Sequence, residues 1–191
     1  MGARAEHLVA LFFLAAATQS FAAEGHRELG AHEHGRGTLN IAIEGSKVTM
    51  ELEVPGADIV GFEHAAKSRT EKAAVETATT QLQAPLSLFG LPASAACRVT
   101  EAKVEVETGD HGHDAKAVES GKAAKTGGHS EFHAEYALEC ASPGNMTAID
   151  FGYFRAFAGA EKLTVNVITP KGQSKFEVTR ASPTLSLAGM I

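Results

Sequence analysis

Along residues 39–54, apolar and polar positions alternate almost without interruption. Leu39, Ile41 and Ile43 alternate with Asn40, Ala42 and Glu44. Val48, Met50, Leu52 and Val54 then alternate with Thr49, Glu51 and Glu53. A period of two places each apolar set on one face of a strand. Gly45-Ser46 between them has the length and composition of a two-residue hairpin turn. The pattern therefore predicts a β-hairpin, ended by Pro55-Gly56. Ile59 to His64 is apolar and short. The spacing then predicts a helix over 70–83, with Thr70 as its cap and Val75, Ala78 and Leu82 on one face. That stripe is thin and Ala-rich, which suits close packing on a sheet. Pro85 ends the helix, and Leu86 to Leu91 has room for one more short turn before Pro92.

Arg98 to Glu107 predicts a third strand with Val104 and Val106 inward. Val99 is out of phase with them, which implies a bulge near Thr100-Glu101. Residues 108–128 hold Gly, Ala, Lys, Asp and His without apolar periodicity, the pattern of a long mobile loop. From 130 onward Phe132, Ala134, Tyr136, Leu138 and Cys140 share one strand face, and His129, Glu131, His133 and Glu135 share the other. Phe151, Phe154 and Phe157 at helical spacing predict a short core helix over 149–157. Leu163, Val165 and Val167 mark another strand, Pro170-Lys171-Gly172 a turn, and Phe176 with Val178 the last strand. The tail from Pro183 carries no clear signal. The expected fold class is α+β: a mostly antiparallel sheet with one longer and one short helix, plus a long mobile His-containing loop.

The N-terminus adds a location. Arg4 precedes the apolar run Leu8 to Ala17, and Ser20-Phe21-Ala22-Ala23 places small residues around a cleavage point after Ala22 or Ala23. The run is well short of the roughly 20 residues of a spanning helix. Residues 1–23 are therefore expected to be a cleaved signal peptide, and residues 24–191 a single exported metal-binding domain without membrane insertion. In an oxidising compartment Cys97 and Cys140 read as one disulfide. The alternative, a thiolate metal-ligand pair, lacks a Cys or His neighbour at finger-like spacing. The full chain carries a net charge of −6, has no Trp and has two Tyr. That composition speaks against nucleic acid as a partner and offers few aromatic platforms for bases or sugars.

The chemistry lies in the histidines. His111-Gly112-His113-Asp114 and His129-Ser130-Glu131-Phe132-His133 fall close together, denser than an even spread over the chain. Imidazole is the commonest protein ligand for transition metals. His129 and His133 sit two steps apart on one strand face, about 13 Å between Cβ atoms in a regular strand. They do not share one ion unless the strand starts after His129. The loop is free to fold back on either. Asp110, Asp114, Glu131 and Glu135 are candidates to complete a tetrahedral shell. His32-Glu33-His34 is a separate candidate pair, and His64 after Phe62-Glu63 a further one. Cleavage after Ala23 would also leave Glu24-Gly25-His26 as a square-planar chelator for Cu(II) or Ni(II). The candidate metal residues are thus His32, His34, His64, His111, His113, His129, Glu131 and His133, with zinc the expected ion. No Gly-x-Ser-x-Gly, His-Glu-x-x-His or phosphate-cradling glycine loop is present, so no catalysis is expected.

These segments, taken in order, resemble a known family. They are His32-x-His34-Gly35 before a hairpin, Gly61-Phe62-Glu63-His64, Cys97, the His-containing loop, residues 129–136 running to Cys140, and Val167-Ile168-Thr169-Pro170-Lys171-Gly172-Gln173. Together they resemble the ZrgA-like family of periplasmic proteins associated with zinc uptake. The resemblance implies zinc binding in the periplasm as an accessory to a zinc ABC importer and its solute-binding protein. The loop here is poorer in His than is common in the family, which bears on capacity. Two other readings stay open: an envelope structural or interaction domain whose His loop is incidental, and sequestration of copper or nickel.

Overall fold

A computed structural model of the chain describes residues 33–109 and 129–191. The signal segment, His26, His32 and the loop residues His111 and His113 lie outside the described residues, as does the expectation that the loop is mobile. The described elements are β1 (Arg36–Glu44), β2 (Lys47–Pro55), α1 (Gly56–Val60), α2 (Arg69–Leu82), α3 (Pro85–Leu88), β3 (Phe89–Gly90), β4 (Cys97–Gly109), β5 (His129–Cys140), β6 (Ala148–Phe151), α4 (Tyr153–Ala156), β7 (Lys162–Thr169), β8 (Gly172–Thr179) and β9 (Thr184–Ser186). The fold is α+β, as the periodicity predicts.

Six strands form one sheet in the order β4-β5-β2-β1-β7-β8. Four of its five strand pairs are antiparallel, and the exception is β1, which runs parallel to β7. The register puts Ile41 opposite Met50, Leu52 opposite Ala134, and Leu39 opposite Val165. Every one of these side chains is buried. Because the side-chain period is two, a slip of one residue would turn this whole set to solvent. The bulge falls between Val99 and Glu101, where the phase break in the sequence implies it. Beyond it Val104 pairs with Ala134 and Val106 with Phe132.

The core face of the sheet is covered by α2, α3, α4 and a second, three-stranded sheet of order β3-β6-β9. This small sheet corrects two expectations. Residues 149–157 are not one helix: β6 occupies Ala148–Phe151, and α4 starts at Tyr153. Phe151 pairs with Phe89, and Ile149 pairs with Leu185. Strand followed by helical turn still buries Phe151, Phe154 and Phe157, so the aromatic spacing suited both conformations. The tail is structured too, since β9 carries Leu185 into the core and Leu187 follows it there. The guanidinium of Arg180 holds this region together by donating to the carbonyls of Phe154, Phe157, Ala158 and Ala160.

Helix α2 begins one residue earlier than its apolar stripe suggests. Ser68, not Thr70, is the cap: its hydroxyl accepts from the Glu71 N–H, and the Glu71 carboxylate accepts from the Ser68 N–H. This reciprocal pair satisfies two of the donors that a helix start leaves open. Pro85 stops α2 by opening α3, where its missing N–H costs nothing. Ala78 and Leu82 are buried and Val75 is half-buried.

Cys97 and Cys140 face each other across the first register pair of β4 and β5 and are joined by a disulfide. The bond ties edge strand β4 to the sheet at the end opposite Gly109 and His129. Replacing both cysteines by Ser is expected to lower unfolding free energy by about 2–4 kcal/mol while leaving the fold in place. A urea midpoint that does not move on this double substitution would show that the β4–β5 ladder alone holds the edge.

Candidate metal centre

At the end of the sheet where β4 stops at Gly109 and β5 starts at His129, three segments distant in sequence meet. The first is the turn before β1. Gly35 adopts a φ of +81°, a left-handed conformation that favours glycine. The Arg36 N–H donates to the Glu33 carbonyl, and the Gly35 carbonyl accepts from the N–H groups of Glu161 and Lys162. That turn presents His34. The second segment follows β2, where α1 ends in a left-handed Gly61 and leads to Phe62-Glu63-His64. The third is the first residue of β5, His129.

Glu63 joins them. Its Oε1 lies 2.8 Å from His34 Nε2, and its Oε2 lies 3.0 Å from His129 Nδ1. A carboxylate only accepts, so each of these ring nitrogens carries a proton and donates it. The other nitrogen of each ring, His34 Nδ1 and His129 Nε2, makes no hydrogen bond with a described residue. Exposure grades the set: the side chains of His34 and His129 are 71% and 55% exposed, and that of Glu63 is 19%. The carboxylate is thus the sheltered member, and the two imidazoles stand outside it. An imidazole whose N–H is held by a carboxylate has its tautomer and ring plane set for coordination through the opposite nitrogen.

His64 is prepared in a similar way. Its Nδ1 is 3.1 Å from the Ala65 carbonyl and donates to it, which leaves Nε2 as the lone-pair nitrogen. The ring stacks on Phe62 at 5.0 Å. Its Nε2 lies 3.9 Å from Glu71, whose carboxyl is held below its ordinary value first by the hydrogen bonds from the Ser68 and Lys67 amides.

His133 belongs to a different environment. It and Glu131 are expected on the solvent face of β5, yet Glu131 is 6% exposed and the His133 side chain 11%. His133 Nε2 lies 3.1 Å from Glu131 and 3.7 Å from Glu107, and Nδ1 lies 3.9 Å from Glu53. The Glu131 hydrogen bond, reinforced by the charges of Glu131, Glu107 and Glu53, raises the His133 pKa above its ordinary value against the opposing cost of burial. The carboxylates around His133 therefore favour its protonated form. Strand geometry places it four residues from His129, roughly 13 Å away in a regular strand. Glu135 is one step further along, exposed, and opposite Glu51 and Lys103.

Of the expected ligands, the structure thus brings His34 and His129 to one carboxylate, sets His64 on the same segment, and keeps Glu131 and His133 as a buried pair. Glu63 is the residue that sequence spacing passes over, and the only hint of it was its place beside His64. Among the described residues no three His, Cys, Asp or Glu side chains are already arranged around one point to hold a metal ion. The physical reason at Glu63 is that the two rings address different oxygens of one carboxylate. The donor set, imidazole with carboxylate, is nevertheless the set that zinc prefers in sites with nitrogen and oxygen ligands.

Residues 31–187 match the model of a family described as ZrgA family zinc uptake protein. The chain belongs to that family. The match spans nearly all of the described fold and every candidate ligand from His32 to His133. No curated protein matches this ZrgA-family chain. Among its described residues, no helix is long and apolar enough to cross a membrane.

The His133 cage has a pH signature. A raised folded-state pKa means that the stabilisation is fully present below the unfolded value of about 6.5 and is lost as pH rises through the folded value. The His133 ring is expected to titrate above the unperturbed range, and Glu131→Gln is expected to bring its midpoint down. Imidazole proton shifts followed by NMR across pH 5–9 measure both, and a His133 midpoint at or below about 6.5 would contradict the assignment.

Proposed function

We propose that this protein binds zinc in the periplasm and assists its uptake, working beside a zinc ABC importer and its solute-binding protein as a carrier and not as a catalyst. The observation that supports this reading is the Glu63 carboxylate holding the N–H groups of two exposed imidazoles, His34 and His129. Their opposite nitrogens are the donors proposed for the incoming ion, with His64 Nε2 on the adjoining segment as a third. His111 and His113 stand two and four positions beyond Gly109 in the chain, and His32 two before His34, so the proposed shell extends to them. Membership of a family named for zinc uptake favours zinc over copper or nickel as the cargo. The exported location rests on the signal-like residues 1–23 and agrees with the Cys97–Cys140 bond, since disulfides persist in oxidising compartments.

Exposure suits transfer. A cargo ion has to enter and leave, and ligands on a rim permit exchange that a buried, preorganised cage would slow. The sheltered Glu63 supplies orientation without closing the site. Protons and zinc compete for the imidazole nitrogens, so binding is expected to weaken as pH falls.

The test is a chelator-competition titration of the mature, untagged chain with Zn(II). Glu63→Ala is expected to weaken binding by roughly 10- to 100-fold, the usual effect of removing a carboxylate that orients a metal-binding histidine. The double substitution of His34 and His129 by Ala is expected to do at least as much. Replacing His111 and His113 instead measures the contribution of the loop. Zinc affinity unchanged in both the Glu63 and the His34/His129 variants would sink the proposed site. A preference for Cu(II) or Ni(II) over Zn(II) would favour sequestration instead.

A further inference from the structure

Asp58 is a buried carboxylate that the reading above leaves without a role. It lies in α1, and only 4% of the residue is exposed. Its Oδ1 accepts from the Gly35 N–H at 2.7 Å. Its Oδ2 is buried and has no hydrogen-bond partner among the described residues. A carboxylate in that position is costly, because burial disfavours the charge and an unpaired oxygen adds to the penalty. Burial accordingly pushes its carboxyl above the ordinary value, and the Gly35 hydrogen bond opposes that rise. Among the described residues, the side-chain hydrogen bond that Asp58 makes goes to the residue next to His34.

The geometry points to Asp58 as a positioning residue for the zinc ligand His34: it clamps the Gly35 backbone so that His34 reaches Glu63. The inference rests on the reading of His34 as a zinc ligand. One short segment, residues 58–63, touches the His34 turn at two points. Asp58 holds its backbone at Gly35, and Glu63 holds the ring of His34. Two contacts fix a direction where one fixes only a distance. The segment is itself located closely. Gly56, at the start of α1, lies so near Ser130 that a Cβ there would come within 2.0 Å of the Ser130 hydroxyl. Gly159 lies against the Asp58 backbone, where a Cβ would meet its carbonyl oxygen at 2.7 Å. Ser130 adjoins His129, so the same close packing relates Asp58 to both histidines. Gly35 sits at positive φ, and glycine has more backbone freedom to lose than any other residue, so its hydrogen bonds to Asp58, Glu161 and Lys162 hold the turn in place.

The experiment compares Zn(II) affinity, by chelator competition on the mature chain, in Asp58→Ala, Asp58→Asn, His34→Ala and the Asp58→Ala/His34→Ala double variant. Asp58→Ala removes the acceptor and is expected to weaken zinc binding about 10-fold or more, the range seen when an outer partner of a ligand is lost. Asp58→Asn keeps an oxygen for the Gly35 N–H and is expected to stay within about 3-fold of the parent, well below that range. In the His34→Ala background, Asp58→Ala is expected to cost nothing further, because a residue that acts through His34 has nothing left to position. A merely structural role would give the same loss in both backgrounds. Amide exchange at Gly35 is expected to be slow in the parent and in Asp58→Asn and fast in Asp58→Ala. If Asp58→Ala does not fold, Asp58→Leu, which fills the space of Asn without an acceptor, replaces it in every comparison. Parent-like affinity in the acceptor-less variant, equal losses in Asp58→Asn and Asp58→Ala, or an undiminished loss in the His34→Ala background each overturns the role of Asp58. Parent-like affinity in His34→Ala alone overturns instead the reading of His34 as a ligand.

Discussion

The antiparallel pairing of β2 with β5 is the constraint on which the rest of the molecule turns. It lies one strand in from the edge strand β4 and runs from Lys47 opposite Glu139 to Pro55 opposite Glu131. Its register decides which side chains reach the core, because a shift of one residue would exchange Met50, Leu52 and Val54 for Thr49, Glu51 and Glu53. It also decides where the chain goes next. With Pro55 level with Glu131, the segment that leaves β2 emerges beside the first residues of β5. Gly56 then packs onto Ser130, and the path through α1 carries Glu63 to within hydrogen-bond reach of His129. The candidate metal centre is thus a consequence of strand register at one end of the sheet.

The parallel pair β1–β7 does the complementary task. It brings the N-terminal turn beside the start of β7, where Glu161 and Lys162 donate to the Gly35 carbonyl. His34 arrives at Glu63 from that side. Three pieces of chain, with His34 29 positions and His129 66 positions from Glu63, therefore meet through backbone pairing and not through local sequence. The two kinds of histidine on this end differ for an electrostatic reason. His34 and His129 are exposed and share one carboxylate, which leaves a nitrogen of each for another partner. His133 is shut in among Glu131, Glu107 and Glu53, whose charges favour its protonated form. Imidazole chemistry is the same in both places, and burial with surrounding charge separates the roles.

Where the sequence misleads, a conformation chosen by distant partners has overruled a local pattern. Phe151, Phe154 and Phe157 have helical spacing, yet Phe151 is a strand residue because Phe89 offers it a ladder. Leu185 and Leu187 looked like part of an uninformative tail, yet β6 recruits Leu185 into a strand and both are buried in the core. Thr70 looked like a helix cap from the apolar stripe, and Ser68 has the place because Glu71 stands three residues after it. The last error was avoidable, since Ser-x-x-Glu is itself a visible signal. The first two were not, because they depend on residues more than thirty positions away.

The periodicity of two in residues 39–54, 98–107 and 130–140 was enough to determine the strands, the bulge at Val99–Glu101 and the inward faces. Those properties follow from how side chains alternate along an extended backbone, which is a local matter. Cys97 and Cys140 were legible as a pair because only two cysteines exist. The candidate ligands were legible as residue types, since His34, His64 and His129 stand out by their chemistry alone. Only the tertiary structure decided which of them meet. It chose Glu63 as the shared carboxylate, set His133 in a buried cage instead of on an open face, and gave Asp58 the Gly35 amide. Each of those outcomes depends on strand register and on close packing of α1 against β5, and both are properties of pairs of segments that no single stretch of sequence contains.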